Sequence, residues 1–508
     1  MNNRFIIIIG SRNNAQWIES NLGSVTSQDY PNYKIIYFDD ASDDDTYNKA
    51  NSFIKSKNLQ DKFISVNVQQ RMYKTWFYFN LEKFIDINDN DILVFLDGDD
   101  SFYCENVLSY LNDVYNKTNC WMTYGGMVVW EGGDVIKEPY PQNSVIPQEI
   151  ISQKAYRKDT WRTSHLKTMR GFLWKKFNVW DLCPDGQFLV GPDDLAIMFS
   201  MLEMCPPEKV YRVTEPIYLY NHSKENDFSR AHIDQQEAKV DYESIIRNKP
   251  PYDTISFITP TLAGGLGNQM FEIAAAASLA KDNGAVLIVN NEEHILPNQG
   301  RNVNNYTNNI FSKIMFDKNL LIKNFHRRDL CTYEKIPYKE NLKLLGHFQS
   351  WKYFDHNREY IRNLFSQPSK NAYDITAIQV RRGDYYKFPD HHPQLTPEYY
   401  AKAVKMADNK NILIFSDDIQ WCIDNIHFGE DYNVRYMSKT NTSDWQELYT
   451  LSECKNIIIS NSSFGWWSAY LNTHPDKKIY VPSIWFGKVM INEGFNIDDL
   501  VLPEWIKV

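Results

Sequence analysis

The stretch Ile92-Leu-Val-Phe-Leu-Asp-Gly-Asp-Asp100 decides the fold of the first half of the chain. Its five apolar residues predict a buried strand, and the acidic cluster that follows them lies in the loop beyond that strand. The predicted strand over residues 34–38 has the same arrangement, because Asp39 and Asp40 follow it directly. In open α/β sheets, ligands bind beyond the carboxyl ends of the strands. The two clusters therefore predict an acidic ligand site at one edge of a mainly parallel sheet.

Apolar strands alternate with helical patterns through the first half. Predicted strands over residues 5–9 and 34–38 flank a helical stretch around residues 17–25, and a later strand is predicted over residues 92–96. The alternation predicts a largely parallel sheet with helices on its faces. A polar segment over residues 224–252 interrupts it, and we place a linker there.

The alternation restarts after the linker. Predicted strands follow at residues 255–258, 285–289, 375–380, 411–415, 456–460 and 478–481, with an Ala-rich helix over residues 269–281. This helix is apolar nearly all round, which predicts that it is buried. We therefore expect an α/β chain with one domain over residues 1–245. A second region over residues 254–508 would follow, built from two Rossmann-like lobes at about 254–370 and 371–508.

The composition of the 508 residues excludes several classes of protein. Hydrophobic residues at 43% and charged residues at 23% argue against long disordered stretches, and a net charge of −10 argues against a nucleic-acid partner. No apolar run approaches the roughly 20 residues of a membrane span, and the run over residues 5–9 is too short for the core of a signal peptide. The seven cysteines include no CxxC pair, which argues against a disulfide framework or a zinc site. We expect a cytoplasmic protein, and the sequence leaves its oligomeric state open.

The acidic clusters have a structural and a functional interpretation. Asp at the start of a loop often caps a turn, but two clusters at equivalent strand ends favour function. Mg²⁺ or Mn²⁺ takes few carboxylates and completes its shell with phosphate oxygens and water. A cation held by Asp97 and Asp99 would stabilise a leaving diphosphate. Asp39 or Asp40 would accept a hydrogen bond from a nucleotide base or ribose.

A third acidic pair, Asp193-Asp194, opens a predicted amphipathic helix. N-capping of that helix is one interpretation. The other is a general base that deprotonates an attacking hydroxyl. His222 follows a further predicted strand, where it would be a third ligand of the cation.

Taken together, these motifs resemble glycosyltransferase family 2. The matching segments cover about residues 1–225 and are Ser11-Arg-Asn13, Gln28-Asp-Tyr-Pro31, Phe38-Asp-Asp-Ala-Ser-Asp43, Leu96-Asp-Gly-Asp-Asp100 and Asp193-Asp194. The resemblance implies a GT-A fold and an inverting, metal-dependent transfer from a nucleotide-sugar. By position it implies that the nucleotide-sugar is bound by Ser11, Asp39, Asp40 and Asp97. It also implies Asp97 and Asp99 as metal ligands and Asp194 as the base, in an Asp-Asp pair where the family usually has Glu-Asp.

Glycines and arginines mark ligand sites in the second half. Gly265-Leu-Gly-Asn-Gln-Met270 lies between a predicted strand and helix, where backbone N–H groups would cradle a phosphate. The turn approaches the dinucleotide fingerprint GxGxxG with Met at the third glycine position, so nicotinamide binding is an alternative. Arg381 and Arg382 end a predicted strand, and one guanidinium would hold a diphosphate while Asp384 orients the other. A structural Arg–Asp pair and an adhesive Arg-Gly-Asp tripeptide are the alternatives there.

Two further segments follow predicted strands. Ser416-Asp-Asp418 would contact a base or ribose, and Asn461-Ser-Ser-Phe-Gly-Trp-Trp-Ser468 opens a helix whose hydroxyls and N–H groups suit a phosphate. The structural alternative for Phe464, Trp466 and Trp467 is helix packing, which we expect for at least one of the tryptophans.

The second-half motifs resemble glycosyltransferase family 11, the α-1,2-fucosyltransferases. The matches span about residues 255–485 and are Gly264-Gly-Leu-Gly-Asn-Gln-Met-Phe271, Gly346-His-Phe-Gln-Ser350, Val380-Arg-Arg-Gly-Asp-Tyr385, Phe415-Ser-Asp-Asp418 and Asn461-Ser-Ser-Phe-Gly-Trp-Trp467. The resemblance implies a GT-B-like fold, GDP-fucose as donor, inversion and no metal. It implies Arg382 as a catalytic residue, and a donor site formed by Gly265, Gly267, Asn268, Gln269, His347, Arg381, Arg382, Asp384, Ser416, Asp417, Ser462, Ser463 and Phe464. Gln379 stands where the family motif HxRRxD has His, and His347 is only a candidate for the base.

The two resemblances predict a bifunctional glycosyltransferase. Its first domain would transfer a sugar from a nucleotide-sugar to a glycan with the help of Mn²⁺ or Mg²⁺. Its second would transfer L-fucose from GDP-fucose in α-1,2 linkage, onto the first product. The alternatives are a second half that only binds a GDP-sugar or glycan, and a nicotinamide-dependent sugar-nucleotide oxidoreductase there. The sequence leaves open the first donor sugar, the first linkage and both acceptors.

Overall fold

The computed structural model describes residues 2–131, 133–136, 141–222, 240–291, 302–365, 371–383, 385–437 and 443–508. By internal contacts the chain forms two compact units, Met1–Ile255 and Ser256–Val508. Asp384 lies outside the described residues, and so does much of the segment in which the sequence predicts a linker.

One mixed sheet is the framework of the first unit. Its strands are β1 (Phe5–Ser11), β2 (Tyr33–Asp39), β3 (Phe63–Asn67), β4 (Ile92–Asp97), β5 (Ser101–Phe102), β6 (Met122–Glu131), β7 (Asp134–Ile136), β8 (Lys167–Arg170) and β9 (Val210–Asn221). The order is β3-β2-β1-β4-β8-β6-β9-β5, with β7 beside β6. Strands β3, β2, β1 and β4 are parallel, whereas β8 is antiparallel to β4 and β6. The register pairs Ser11 with Asp39 and Gly10 with Asp97, so both acidic clusters meet at the carboxyl end of β1.

Helices cover this sheet and bury its apolar faces. They are α1 (Ile18–Thr26), α2 (Thr46–Ser56), α3 (Tyr73–Phe79), α4 (Leu81–Phe84), α5 (Val107–Thr118), α6 (Gln148–Gln153), α7 (Gly171–Lys176), α8 (Asp193–Met204) and α9 (Tyr242–Arg247). Apolar side chains of β1, β2, β4, α1 and α5 form one core, which holds the carboxyl ends of these strands in place.

Helix α8 differs from the amphipathic helix that the sequence predicts, since ten of its twelve residues are buried. The reason is the segment after α9, which lies over it: Ile255 N donates to Met204 O at 2.9 Å, and Tyr252 N donates to Glu203 Oε2 at 3.0 Å. The buried Glu203 is neutralised by a bidentate pair with Arg157, at 2.7 and 2.8 Å. The polar residues of α8 are thus satisfied inside the protein rather than by solvent.

Two parallel sheets form the second unit. The first contains β10 (Phe257–Pro260), β11 (Val286–Val289), β12 (Met315–Phe316), β13 (Asn324–Arg327) and β14 (Leu342–Leu345), in the order β12-β11-β10-β14-β13. The second contains β15 (Tyr373–Val380), β16 (Asn411–Ser416), β17 (Asn433–Met437), β18 (Cys454–Ile458), β19 (Lys478–Val481) and β20 (Ile506–Lys507), in the order β17-β16-β15-β18-β19-β20. The α/β class and the two Rossmann-like lobes predicted from the sequence are confirmed.

Helices connect and join the two lobes. They are α10 (Leu266–Asp282), α11 (Arg358–Phe365), α12 (Pro397–Ala407), α13 (Ile419–Asn425), α14 (Asp444–Ser452), α15 (Ser463–Tyr470) and α16 (Lys488–Asn492). Helix α10 is buried at 13 of its 17 positions, as its composition predicts. Trp466 and Trp467 are fully buried, with ring centroids 4.4 and 5.3 Å from that of Phe271. The packing interpretation therefore holds for both tryptophans, and α10 and α15 share one core. Across the described residues, no helix combines the length and hydropathy needed to cross a membrane.

Candidate active sites

A cavity of about 430 Å³ lies in the first unit beyond the carboxyl ends of β1 and β4. Ser11, Asp40, Asp97 and Asp99 line it, together with the start of α8. Gly98 lets the acidic turn approach β1, because a Cβ there would lie 2.5 Å from Ser11 Oγ. The sequence-predicted acids of the three clusters therefore surround one space.

Asp97 is a carboxylate of this first cavity that is surrounded by basic side chains. Its Oδ1 accepts a hydrogen bond from Lys74 Nζ at 2.7 Å. Burial alone would raise the pKa of Asp97, but the charges of Lys74 and Lys167 outweigh it and hold that pKa well below its usual range. Asp97 is consequently ionised at neutral pH.

His165 lies between two of the acids. Its Nε2 is 3.8 Å from Asp97 Oδ2 and 4.0 Å from Asp194 Oδ2, and its ring stacks on Tyr218 at 4.7 Å. Burial lowers the pKa of His165 to about 4, so the imidazole is neutral. Its Nδ1 is buried with no hydrogen-bond partner among the described residues. A neutral imidazole beside an ionised carboxylate can bind a cation.

The structure tests the fit of a divalent cation to these residues. Asp97, Asp100 and His165 each place one potential ligand atom within 4.8 Å of the others. Carboxylates suit Mg²⁺ and Mn²⁺, and an imidazole adds a ligand that favours the transition metal. Two of the carboxyl oxygens have other roles, because Asp100 accepts from Tyr218 Oη at 2.5 Å and from Asn221 N at 2.7 Å. These three side chains could therefore hold a cation. Asp97 and His165 are the better candidates, because both oxygens of Asp100 already accept hydrogen bonds.

Two residues expected at the metal are placed differently. Asp99 lines the cavity but is not in this group of ligand atoms among the described residues. The side chain of His222 is 59% exposed, and its Nδ1 lies 3.4 Å from Glu131 Oε1. His165 therefore takes the place in the group that the sequence assigns to His222. The reason is that His165 precedes the start of β8, which lies beside the carboxyl end of β4, whereas the His222 side chain is exposed after β9.

Asp193 and Asp194 open α8 at the cavity but differ in surroundings. Asp194 pairs with Lys167, and the side chain of Asp194 is 27% exposed. Burial alone would raise the pKa of Asp194, but Lys167 and His165 lower it. Asp193 is 6% exposed at its side chain and lies 3.8 Å from Lys74 Nζ, and burial raises its pKa to about 6. Asp194 is therefore the more exposed of the two carboxyl groups in this cavity, and the one whose pKa is lowered.

Asp39 and Asp40, the other predicted acids of this site, accept hydrogen bonds from the loops around the cavity. Asp40 accepts hydrogen bonds from Met72 N at 2.6 Å and Tyr73 N at 3.0 Å, which fixes the start of the helix that carries Lys74. Asp39 accepts from Ser42 N at 3.0 Å and Ser42 Oγ at 2.6 Å. Unlike Asp40, Asp39 is not among the described residues that line the cavity.

A larger cavity of about 1560 Å³ lies between the two lobes of the second unit. It is lined by residues that follow β10 and β14 in one sheet and β15 and β16 in the other. The carboxyl ends of parallel strands in two sheets thus face one space, the usual place for a ligand in such folds. Of the predicted donor residues, the following line it: Gly265, Gly267, Asn268, His347, Arg381, Ser416, Asp417, Ser462, Ser463 and Phe464.

The N-terminal ends of α10 and α15 meet at this second cavity. Asn268 Oδ1 accepts hydrogen bonds from Ser463 Oγ at 2.7 Å and from Gln349 Nε2 at 2.8 Å. A Cβ on Gly267 would lie 2.4 Å from the Ser463 carbonyl carbon and 2.5 Å from Phe464 N. Gln269 instead donates to Gly264 O at 3.2 Å, inside its own turn. The glycine turn therefore has two possible roles: it forms part of the contact between the two lobes, and it lines the cavity where a ligand would bind.

The glycine contact gives a prediction. Gly267→Ala forces the backbones of α10 and α15 apart, so we expect a destabilisation of about 1–3 kcal/mol, as for other overpacked sites. The activity of the second unit should fall by about tenfold or more, and the activity of the first unit should not change. Thermal unfolding and transfer rates measure this. Gly265→Ala is the matched control, because its Cβ would meet nothing within 4 Å; equal losses in both variants would exclude the steric explanation.

The two adjacent arginines have separate environments. Arg381 lines the cavity, and its Nη1 donates to Asp417 Oδ2 at 2.6 Å. The Arg382 guanidinium lies 3.7 Å from the centre of the Trp421 ring, with Nε 3.5 Å from Asp418 Oδ2. Arg382 is not among the described residues that line the cavity. The structure thus departs from the expectation that Arg382 meets the donor, because consecutive side chains at the end of a strand point to opposite faces.

Gln379 occupies the position of the family His. It is buried, its Oε1 accepts from Ser460 N at 3.3 Å, and a Cβ on Gly465 would lie 2.6 Å from that oxygen. The side chain therefore ties the end of β15 to the start of α15.

A buried carboxyl group and an imidazole meet at the rim of the second cavity. Glu272, on α10, is 1% exposed and its Oε1 is 2.7 Å from His347 Nδ1. Its Oε2 accepts from Ala263 N at 2.9 Å. Burial raises the pKa of Glu272 to about 7, although the hydrogen bond with His347 opposes this rise. Burial alone would lower the pKa of His347, but Glu272 and Asp329 outweigh it and raise that pKa.

Several of these residues were missed at the sequence level. Glu272 had a signal, because it is the acid inside an otherwise apolar, Ala-rich helix. His165 and Lys167 lie in the segment over residues 161–170, which resembles an acceptor-side stretch before the base in some family 2 members, but the resemblance gives neither residue a role. No sequence signal pointed to Lys74, because only the folded structure brings its helix next to the acidic residues.

The fold and the two sites define a glycosyltransferase, and comparison with known proteins agrees. The chain belongs to glycosyl transferase family 11, whose model matches residues 229–508. The model of glycosyl transferase family 2 matches residues 6–185. The resemblances found in the sequence are confirmed, and the chain is an enzyme with a family 2 part and an α-1,2-fucosyltransferase-like part. By family, it takes a nucleotide-sugar donor and a glycan acceptor.

Characterised relatives match about half of the chain. It is 29% identical over 310 residues to the O-antigen biosynthesis glycosyltransferase WbnK of Escherichia coli, covering 49% of this chain and 99% of the relative. It is 26% identical over 296 residues to an alpha-1,2-colitosyltransferase of Escherichia coli, covering 50% and 99%. It is 25% identical over 275 residues to galactoside 2-alpha-L-fucosyltransferase SEC1 of Bos taurus, covering 48% and 72%.

Solved structures show more distant likeness. TarS 1-349 of S. aureus in complex with UDP-GlcNAc is 17% identical, with 44% of this chain and 60% of that chain covered and a TM-score of 0.34. The chain thus spans about 60% of the length of that structure. The mannosyltransferase PcManGT of Pyrobaculum calidifontis is 16% identical, with 50% and 66% covered and a TM-score of 0.33.

Proposed function

We propose that the protein carries out two sugar transfers in succession. The first unit transfers a sugar from a nucleotide-sugar to a glycan, and the second transfers L-fucose from GDP-fucose in α-1,2 linkage to a hydroxyl of that product. The observation that best supports this proposal is that each unit has its own cavity with its own residues for a leaving diphosphate. Asp97 and His165 in the first would hold a cation that neutralises it, and the Arg381 guanidinium lines the second. Covalent connection raises the local concentration of the shared intermediate.

In the first site, the residues divide the work between acceptor and donor. Asp194 is ionised and partly exposed in the cavity, so it can take the proton of an attacking hydroxyl. Lys167 and His165 hold its carboxylate in place. Asp97 and His165 would hold the divalent cation, which when bound would neutralise the charge developing on the diphosphate. Lys74 fixes the Asp97 carboxylate from the opposite side.

In the second site, protein groups alone face the donor. Arg381 is aimed by Asp417 and by Ser460 Oγ, which accepts from its backbone N at 2.9 Å. The N-terminal end of α15, with Ser462 and Ser463, adds N–H and O–H donors. A fixed guanidinium and such donors stabilise a leaving diphosphate without reorganisation during the reaction.

A donor panel tests the assignment. We expect the full chain with glycan acceptors to release nucleotide from GDP-fucose and from one further nucleotide-sugar among UDP-, GDP- and dTDP-sugars. Because one relative is named a colitosyltransferase, GDP-colitose belongs in the panel. Release of nucleotide from a single donor would contradict two transfers. Tight NADH binding without GDP binding would support the oxidoreductase alternative, and GDP-fucose binding without turnover would support a binding module.

Removal of divalent cations separates the two sites. We expect EDTA to abolish the first transfer, because Asp97 and His165 alone leave the diphosphate charge poorly neutralised, and to leave the second transfer unchanged. Each reaction is followed with its own donor, and restoring Mn²⁺ should restore the first. Equal loss of both activities would contradict the division of metal use between the sites.

A further inference from the structure

The second cavity contains a carboxylate and imidazole pair that takes no part in the proposed contacts with the leaving diphosphate. Glu272 is almost completely buried in α10 and is hydrogen-bonded to His347 Nδ1 at 2.7 Å. His347 lines the cavity, and 46% of its side chain is exposed. Since Nδ1 is engaged by Glu272, Nε2 is the ring nitrogen that remains for a substrate in the cavity.

We propose that Glu272 and His347 form the general-base couple of the second transfer. His347 Nε2 is the catalytic atom, and Glu272 is the positioning residue that orients the ring and stabilises the imidazolium. The proposal rests on the proposed fucosyl transfer and adds the group that activates its acceptor hydroxyl. A buried carboxylate behind an imidazole is a well-known way to fix the tautomer of a catalytic base.

The step balances as a substitution at the anomeric carbon. The acceptor oxygen forms its bond to C1 of the donor sugar while its proton moves to His347 Nε2. The bond between C1 and the phosphate oxygen breaks, and its electron pair leaves with GDP. Arg381 receives the developing phosphate charge across the same cavity. The proton returns to solvent once product departs.

The surroundings of the pair suit this role. Ala263 N donates to the second oxygen of Glu272 at 2.9 Å, which holds the carboxyl group behind the ring. The charged groups that face the imidazole are Glu272 on α10 and Asp329, which follows β13 and lines the cavity. Both are acidic and stabilise the imidazolium. Glu272 therefore keeps the proton-accepting nitrogen of His347 directed into the cavity.

Two variants of the full chain test the proposal, with GDP-fucose and a glycan acceptor. We expect His347→Gln to lower kcat by about 10²–10³-fold, with KM for GDP-fucose and the affinity for GDP little changed. We expect Glu272→Gln to lower kcat by about tenfold, and to shift the acid limb of the pH profile to lower pH because imidazolium loses its counter-charge. A merely structural role of Glu272 would not move that limb. His427→Gln, an exposed site at the end of α13, is the matched control.

Calorimetric GDP binding and thermal unfolding establish that each variant is folded. If Glu272→Gln does not fold, His347→Gly with added imidazole decides the matter, since rescue of turnover supports the proposal. A wild-type kcat and pH profile in His347→Gln would overturn it while leaving the fucosyl transfer established. Absence of transfer by the unmodified chain would instead refute the proposed function itself.

Discussion

Replacing Arg381 by Ala should lower the second transfer by about 10³-fold, because one preorganised charge on a leaving group contributes that much to catalysis. Arg381 lines the cavity, and 33% of its side chain is exposed there. Asp417 accepts a hydrogen bond from the guanidinium and Ser460 Oγ accepts one from the backbone N–H, so the residue is held in place before the donor binds. GDP release from GDP-fucose measures the effect, and the first transfer should keep its full rate in the same variant.

Arg382→Ala is the matched control for this experiment. Its guanidinium packs on Trp421 and lies near Asp418, so we expect a loss of about tenfold or less, through local packing. The family resemblance alone favoured Arg382 for the catalytic role. If Arg382→Ala abolishes the second transfer and Arg381→Ala does not, the donor contact belongs to Arg382 and the structural assignment is wrong.

Replacing Asp194 by Asn should lower the first transfer by about 10³-fold, since an amide cannot take the proton of the acceptor hydroxyl. The effect should appear in kcat rather than in the affinity for the donor, because the donor is held by other residues of the site. Initial rates at saturating donor and acceptor, with Mn²⁺ present, measure it. The second transfer should not change.

Asp193→Asn is the companion variant. Asp193 is buried against Lys74, and burial raises its pKa to about 6, so it is a poorer candidate for contact with substrate. We expect about a tenfold loss from the altered position of Lys74 and Asp97. Full activity in Asp194→Asn with loss in Asp193→Asn would transfer the role of base to Asp193.

The sequence predicted the positions of the acids better than their partners. Runs that end in Asp97 and Asp40 lie on β4 and β2, the two parallel neighbours of β1, and the carboxyl ends of parallel strands lie at the same edge of a sheet. Lys74, His165 and Lys167 could not be placed in the same way. They reach the acids from a helix after β3 and from the approach to β8, and only long-range packing fixes those distances.

The burial of a helix could be predicted when the helix is apolar on all sides. It could not be predicted when another segment of the chain covers a polar face. Helix α10 is apolar all round, and its burial followed from its sequence. Helix α8 reads as amphipathic, but the stretch after α9 covers its outer face. The same limit applies to Arg381 and Arg382, because two adjacent arginines look alike until the strand fixes which faces the cavity.

The central proposal is that one chain holds two independent transferases. The direct measurement is mass spectrometry of the glycan formed with both donors present by Asp194→Asn, by Arg381→Ala and by a mixture of the two. We predict no added sugar from the first variant unless the product of the first transfer is supplied, one added sugar from the second, and two from the mixture. A mixture that fails to form the doubly extended glycan, or a variant that loses both transfers, would contradict the account.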